Sequence, residues 1–448
     1  MRPSLAKIYP LAMQKLSGRV VGKFLHPVSA VRRVISIMAL LAVLPALCQT
    51  AGEQRGPLDP LPQDSGAAGL RQMLLRLNTT ARLMHTTAHP DDEDGGMLTL
   101  ESRGKGVNAL LLTLNRGEGG QNKMGSNLFD VLGVLRTLEL LGSDRYYGVE
   151  QRFTRVADFG FSKSADETFQ KWGGHDIALA DMVRVIRTFR PDVLVSRFGG
   201  TSRDGHGNHQ ASGIVSREAF RAAADPKRFP EQIAEGLLPW QAKKLYIDNV
   251  CPFRSNECSP ENYTVKLSTG EKDPDLGMTF IQFAMEGLRH QLSQGAGEWS
   301  VDAGPHYAFY KLVDSVLPPT VDKNGHEQGY FEGIDTSLPG LAARLGAEEA
   351  AVPYLRGELT KIAQNVAAAA DAAQGKDAAG AAKPLLLVSE ELDQLAQKIE
   401  QSALGRDSKI ELLSRLREKQ EEAARALNLA LNVSLQATVA SPRGPGAG

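Results

Sequence analysis

Residues able to do chemistry are concentrated in two short stretches of the 448-residue chain. The first, His89-Pro90-Asp91-Asp92-Glu93, sets an imidazole and a carboxylate three residues apart, close enough in a turn to converge on one point. Imidazole nitrogen and carboxylate oxygen together suit a divalent ion such as zinc. Pro90 stiffens the turn, and Asp91 cannot point the same way as its neighbour Asp92, which leaves it free for another task. The string also reads as a helix start, where Asp side chains accept backbone hydrogen bonds and suit the helix dipole. The second stretch, Arg197 to Gln210, carries two of the nine histidines, His206 and His209, in a Gly-rich loop. A solvated polar loop would look similar, but two separate His/Asp clusters are hard to explain by chance. Three protein ligands plus a water is the pattern of a catalytic zinc. His89, Asp92 and one of His206 or His209 would supply it.

The elements that must position these clusters are short apolar runs: Arg82–Thr87, Val107–Leu114, Asp192–Ser196 and Lys244–Ile247. Their length and boundaries predict buried strands. Helical patterns separate them at Gly96–Arg103, Leu128–Leu141 and Ile177–Phe189, and another helix is expected from Gln210. Alternation of this kind predicts an α/β fold with a mostly parallel sheet covered on both faces. Ligands bind such sheets at the carboxyl ends of strands, which is where both clusters fall. No GxGxxG follows the first strand and no GxSxG occurs, so neither a dinucleotide nor a serine hydrolase is indicated.

Taken in order, Ala88-His89-Pro90-Asp91-Asp92-Glu93, Arg116-Gly117-Glu118-Gly119-Gly120 and Gly205-His206-Gly207-Asn208-His209 resemble the PIG-L/LmbE-like zinc-dependent N-deacetylases. The resemblance runs over roughly residues 80–300 and includes Arg289-His290-Gln291-Leu292-Ser293-Gln294, similar to a late His-containing Ser-Gln segment of the family. It implies a Rossmann-like fold and removal of acetyl groups from N-acetylglucosamine conjugates. It also implies one zinc ion, or another divalent metal, on His89, Asp92 and His209. Asp91 would be the general base, His206 would stabilise or protonate the reaction centre, and Arg116 would anchor substrate. The chain departs from the family at Asn208, where an Asp is usual. Asn adds no charge, so His206 is expected to be less basic unless Asp204 compensates. A carbohydrate-binding protein that keeps the fold without turnover is the alternative, and Asn208 is the feature that favours it.

That chemistry suits the residue types. Zinc lowers the pKa of a bound water to about 7 and polarises a carbonyl. Asp91 can accept a proton, and His206 can stabilise an oxyanion or protonate a departing amine.

The rest of the chain frames this centre. Residues 1–33 carry several Lys and Arg with no Asp or Glu, followed by an apolar run Val34–Leu47 and a small-residue exit, which predicts a signal for export within residues 1–50. The run is too short to span a bilayer, although a retained anchor is the alternative. Export removes or lipidates Cys48 and permits a bridge between Cys251 and Cys258 in a Pro-containing loop, the alternative there being two free thiols. The deacetylase-like region is expected over 78–317, with a Pro/Gly/Asp-rich boundary from Pro318 to Pro339. Helical spacing of Leu385, Val388, Leu392, Leu395 and Ile399, then Ile410, Leu413 and Leu416, predicts about three amphipathic helices over 340–433. The tail 434–448 begins like a strand and reads as the start of a further β domain. With 51 Lys+Arg against 52 Asp+Glu, the charge balance argues against a nucleic-acid partner. The partner expected is an amino-sugar conjugate.

Overall fold

The computed structural model describes residues 60–252, 255–375 and 377–433. The expected export signal with Cys48 and the tail 434–448 lie outside the described residues. Seven strands form one sheet in the order β3-β2-β1-β4-β5-β7-β6. They are β1 Arg82–Thr87, β2 Asn108–Thr113, β3 Glu150–Phe153, β4 Val193–Ser196, β5 Lys244–Ile247, β6 Val265–Ser268 and β7 Tyr307–Ser315. β1 to β5 run parallel, while β7 pairs antiparallel with both β5 and β6.

Alternate residues of the central strands feed two separate cores. Leu83, Leu111, Val193, Val195 and Tyr246 join one, and Met84, Leu110, Leu112, Leu194 and Leu245 join the other. A strand buried on both faces has no polar alternation to show, which is why β2 and β4 were legible as apolar runs; β1 buries His85, Thr86 and Thr87 as well. β3, β6 and β7 were not anticipated. β3 is a polar edge strand, Glu-Gln-Arg-Phe, and β6 alternates buried and exposed residues at the other edge.

The helices also differ at their ends from the sequence pattern. The helix expected over Leu128–Leu141 spans Asp130–Tyr147. The helix expected from Gln210 begins at Gly207 and runs to Ala222, with His206 as its N-cap. Gly207 and Asn208 are weak helix formers, so pattern alone places the start too late.

The order of the strands creates a crevice. From β1 the chain moves outward through β2 to β3, then returns to lay β4 on the other side of β1. Ligand sites of open α/β sheets lie at such a switch point, outside the carboxyl ends of the strands. His89 follows β1 and His206 follows β4, so both clusters overhang it.

Below the opposite edge lie the helices Leu355–Gln374, Ala382–Glu400 and Arg406–Ala430. Leu385, Val388, Leu392, Leu395 and Ile399 are buried at the expected spacing and share a core with Leu70, Leu74 and Leu77 of the helix Gly66–Leu77; in the last helix Leu412 and Leu416 are buried there, Leu413 only partly so, and Ile410 does not join. Among the described residues no helix is long and apolar enough to cross a membrane. Cys251 and Cys258 are disulfide-bonded, with Cα atoms 5.4 Å apart.

Candidate active site

The turn after β1 brings the first cluster together through its own backbone. The His89 amide donates to Asp92 Oδ2 at 2.7 Å, and the Asp92 amide donates to the His89 carbonyl at 3.3 Å. His89 Nδ1 lies 3.3 Å from Asp92 Oδ2, and His209 Nε2 lies 3.5 Å from Asp92 Oδ1. One ligand atom from each of His89, Asp92 and His209 falls within 4.8 Å of the others, a set able to hold a metal ion. Of the two histidines left open by spacing, His209 is the one that joins this set.

Outer partners orient the donors, as in metal sites generally. His209 Nδ1 faces the Asp204 carbonyl at 3.2 Å, which makes it the N–H and leaves the Nε2 lone pair toward Asp92. Phe198 stacks on the His209 ring with centroids 4.1 Å apart. His89 Nε2 meets the Asn208 amide nitrogen at 3.1 Å, and that nitrogen also donates to Asp158 at 3.2 Å. Asn208 Oδ1 is buried without a partner. Half a turn of the amide would present that oxygen to His89 Nε2–H, the tautomer required when Nδ1 holds a metal, but would give up the hydrogen bond to Asp158. The donor chemistry of His89, Asp92 and His209 fits a divalent ion.

The departure at Asn208 therefore acts elsewhere than expected. Its side chain touches His89, not His206. Asp204 does not compensate at His206 either: its carboxylate accepts the amides of Gly199, Gly200 and Thr201. His206 Nδ1 accepts the Asn208 backbone N–H at 3.1 Å, so Nε2 carries the proton. Burial, then the neighbouring His89 and His209, push His206 down to about 4. It is less basic, as expected, but through burial and crowding, and at neutral pH it is an uncharged hydrogen-bond donor.

Asp91 sits apart from Asp92. Its backbone has φ +95°, a region costly for a residue with a side chain, of order 1–3 kcal/mol. Its carboxylate lies 3.4 Å from Arg136 Nη2. Burial, and next the charge of Asp92, raise Asp91 to about 7, against the pull of Arg136. Burial also disfavours the Asp92 anion, but the imidazoles of His209 and His89 outweigh it and hold Asp92 well below the usual carboxylate range. Two adjacent carboxylates with separated proton affinities are the mark of divided roles.

Arg116 follows β2 as expected, but its guanidinium stacks on Phe153 of β3, 4.6 Å from the ring centroid. The guanidinium that reaches the cluster is Arg136, which also bonds the carbonyl of Gly117 at 3.3 Å. A Cβ at Gly117, where φ is +68°, would lie 2.2 Å from Arg136, so the Gly of Arg116-Gly117-Glu118 is required by that contact. Glu118 Oε2 accepts the amide of Asp158 at 3.0 Å and so carries Asp158 to the site. Phe161, 72 % exposed, sets its ring edge against His206 at 5.1 Å. Sequence reasoning missed Arg136, Asp158 and Phe161. Arg136 had a signal, a lone charge in the apolar stretch Val131–Leu138; the other two lie in irregular loop. His290 packs on Tyr146, 5.4 Å between centroids, rather than entering the site. His85, inside β1, bonds the Val195 carbonyl at 2.9 Å, and burial lowers it to about 4.

A His-Asp-His set at a switch-point crevice, with a second carboxylate turned aside, fits a metal-dependent hydrolase. A sequence profile of the PIG-L family, described as GlcNAc-PI de-N-acetylase, matches residues 84–220, from β1 through the helix that carries His209. The chain is 31% identical over 309 residues to 1D-myo-inositol 2-acetamido-2-deoxy-alpha-D-glucopyranoside deacetylase 2 of Frankia casuarinae, covering 57% of this chain and 94% of that protein. It is 28% identical over 177 residues to the mycothiol S-conjugate amidase of Streptomyces coelicolor, 37% of this chain and 59% of that one. Among solved structures, N,N'-diacetylchitobiose deacetylase from Pyrococcus horikoshii aligns with a TM-score of 0.38 at 14% identity, over 52% of this chain and 83% of that one. The chain belongs to the PIG-L family and is an N-deacetylase hydrolase.

Proposed function

We propose that this protein removes the N-acetyl group from an N-acetylglucosamine-type conjugate, with zinc held by His89, Asp92 and His209 and with Asp91 as general base. The observation that carries the reading is the separation of Asp91 from Asp92: one carboxylate faces the two imidazoles, the other is half-buried, turned aside toward Arg136 and raised toward neutrality. The names of the relatives, which include an acetamido-deoxy-glucopyranoside deacetylase, support the substrate class. Zinc on that set would supply a more acidic water and a polarised amide carbonyl.

The chain's own residues do the remainder. Asp91 takes a proton from the attacking water, which a group near pH 7 does with little cost. His206 donates from Nε2 to the oxyanion that develops on the acetyl carbonyl, its Nδ1 being committed to the helix start. Asp91 then returns the proton to the departing sugar nitrogen. Arg136 steadies Asp91 while it is charged. Phe161 offers an exposed apolar surface beside His206 on which a sugar ring can lie. The carbohydrate-binding alternative loses its support, because the Asn208 side chain does not act on His206.

Acetate release from N-acetylglucosamine glycosides, measured with zinc and after chelation, tests the reading. Release that is zinc-dependent supports it, and no release from any amino-sugar conjugate in a broad panel sinks it. Export belongs to the same proposal and rests on the basic stretch 1–33 and the apolar run 34–47. Amino-terminal sequencing of protein recovered from its host would reveal cleavage.

A further inference from the structure

Two parts of the sequence motifs remain unused by this reaction: Glu93, which closes the His-Pro-Asp-Asp string, and the late segment Arg289–Gln294. The fold brings them together. Glu93 is 7 % exposed, and its Oε2 accepts the Asp91 backbone N–H at 2.9 Å. Its Oε1 accepts the Tyr147 hydroxyl at 3.0 Å and the Gln291 side-chain amide at 2.6 Å. Gln291 is held in turn, because the next residues are pinned: the Ser293 amide donates to Glu139 at 2.8 Å and the Ser293 carbonyl accepts the Lys123 amide at 2.8 Å. One buried carboxylate thus ties the turn after β1 to the helix Asp130–Tyr147 and to the late segment.

Burying a carboxylate is costly, and an apolar side chain would fill the same space more cheaply. What an apolar side chain could not do is accept the Asp91 amide, whose residue stands at φ +95°. We propose that Glu93 is a positioning residue for catalysis: it fixes the left-handed backbone that turns the Asp91 carboxylate away from Asp92, and Tyr147 and Gln291 fix Glu93. The proposal rests on Asp91 being the base. Without the acceptor, the Asp91 backbone relaxes toward the ordinary region and its carboxylate swings off the water. The ligand turn does not depend on Glu93, since the two hydrogen bonds between His89 and Asp92 close it independently. Loss of Glu93 therefore misplaces the base and spares the metal.

The test is kcat, KM and zinc content of the zinc-loaded full chain on an N-acetylglucosamine glycoside, for Asp91→Asn, Glu93→Ala, Glu93→Gln and Tyr147→Phe. Glu93→Ala should lower kcat roughly tenfold to a hundredfold, the scale of an ångström-level misplacement, with KM and zinc content within about twofold of wild type. Glu93→Gln should recover most of that loss. Its amide oxygen can face the Asp91 N–H while Gln291 turns its partnerless Oε1 toward the new amide nitrogen. A role in folding alone would lower stability without separating kcat from zinc content. Wild-type kcat in Glu93→Ala, zinc lost in step with kcat, or no recovery in Glu93→Gln would each overturn the proposal. If Glu93→Ala does not fold, Tyr147→Phe decides: kcat about threefold lower at unchanged KM supports it, and unchanged kcat overturns it. Should Asp91→Asn keep wild-type turnover, the base reading itself falls, and that result is separate from the others.

Discussion

The amino and carboxyl ends of the central strands both gather charged side chains and use them in opposite ways. At the amino end each charge has a partner from the helix Arg406–Ala430 or its neighbours. Glu418 meets Arg82 of β1 and bonds Asn108 of β2, the latter at 2.8 Å. Asp192, just before β4, is reached by Arg344 at 2.7 Å and Arg415 at 3.9 Å. Glu411 bridges Arg190 and Arg415. At the carboxyl end Asp91, Asp92, Glu93 and Asp158 crowd together with three imidazoles, and Arg136 is the guanidinium that reaches them. Matched charges cement the fold; carboxylates gathered beside imidazoles form a set able to hold a cation. Position in the sheet, not burial alone, tells the two apart.

The carboxyl end is most vulnerable at the metal ligands. His209→Ala leaves two ligands, so zinc content and acetate release should both fall to the level of chelated protein. Full zinc occupancy in that variant would move the third ligand to His206. A smaller loss is expected at the base: Asp91→Asn should keep its zinc and its KM while kcat drops roughly 10²–10⁴-fold. Elemental analysis beside steady-state kinetics distinguishes the two failures, and zinc loss in Asp91→Asn would swap the roles of the two aspartates.

The amino end should respond in stability, not in chemistry. Glu418→Ala breaks a buried pair, which costs about 3 kcal/mol, and kcat of the folded enzyme should not change. The same contact has a pH signature. Burial opposes the Glu418 anion, but Arg82, Lys419 and Asn108 outweigh it and pull its carboxyl down to about 2. A carboxyl depressed in the folded state stabilises above its ordinary value of 4.5, and that contribution is lost as pH falls toward 2. Acid titration of thermal stability should therefore be shallower in Glu418→Ala than in wild type between those limits; identical curves would mean the pair contributes nothing. The smallest effect is at the rim. Reduction of the Cys251–Cys258 bridge, which closes a loop with a sequence separation of 7, should cost about 2 kcal/mol and leave turnover intact.

Legibility in the sequence followed the same division. The His-Pro-Asp-Asp string, its place after β1 and the four doubly buried strands were all visible, because local spacing and short runs bounded by turn or charged residues specify them. The choice between His206 and His209 was not visible from spacing, since it depends on where the helix Gly207–Ala222 starts. Arg136 and Asp158 reach the site from helix and loop by tertiary folding, so no local pattern announces them. The same holds for Glu418, Arg415 and Glu411. They lie in a helix whose sequence shows only amphipathic spacing, and their partners around the sheet stand more than 200 residues away along the chain.

The helix Gly66–Leu77 precedes the first strand, yet its Leu70, Leu74 and Leu77 are buried among side chains from the other end of the chain. The catalytic sheet is thus held in a clasp, one half of which precedes β1 and the other follows β7. A fragment cut at residue 317 would expose those leucines and remove Glu418 from Arg82 and Asn108, and Arg344 and Arg415 from Asp192. Transplanting the deacetylase region as a module therefore means carrying the helices up to Ala430 with it. A ribosome still short of that point has made every residue of the active site without yet making what closes the fold beneath it.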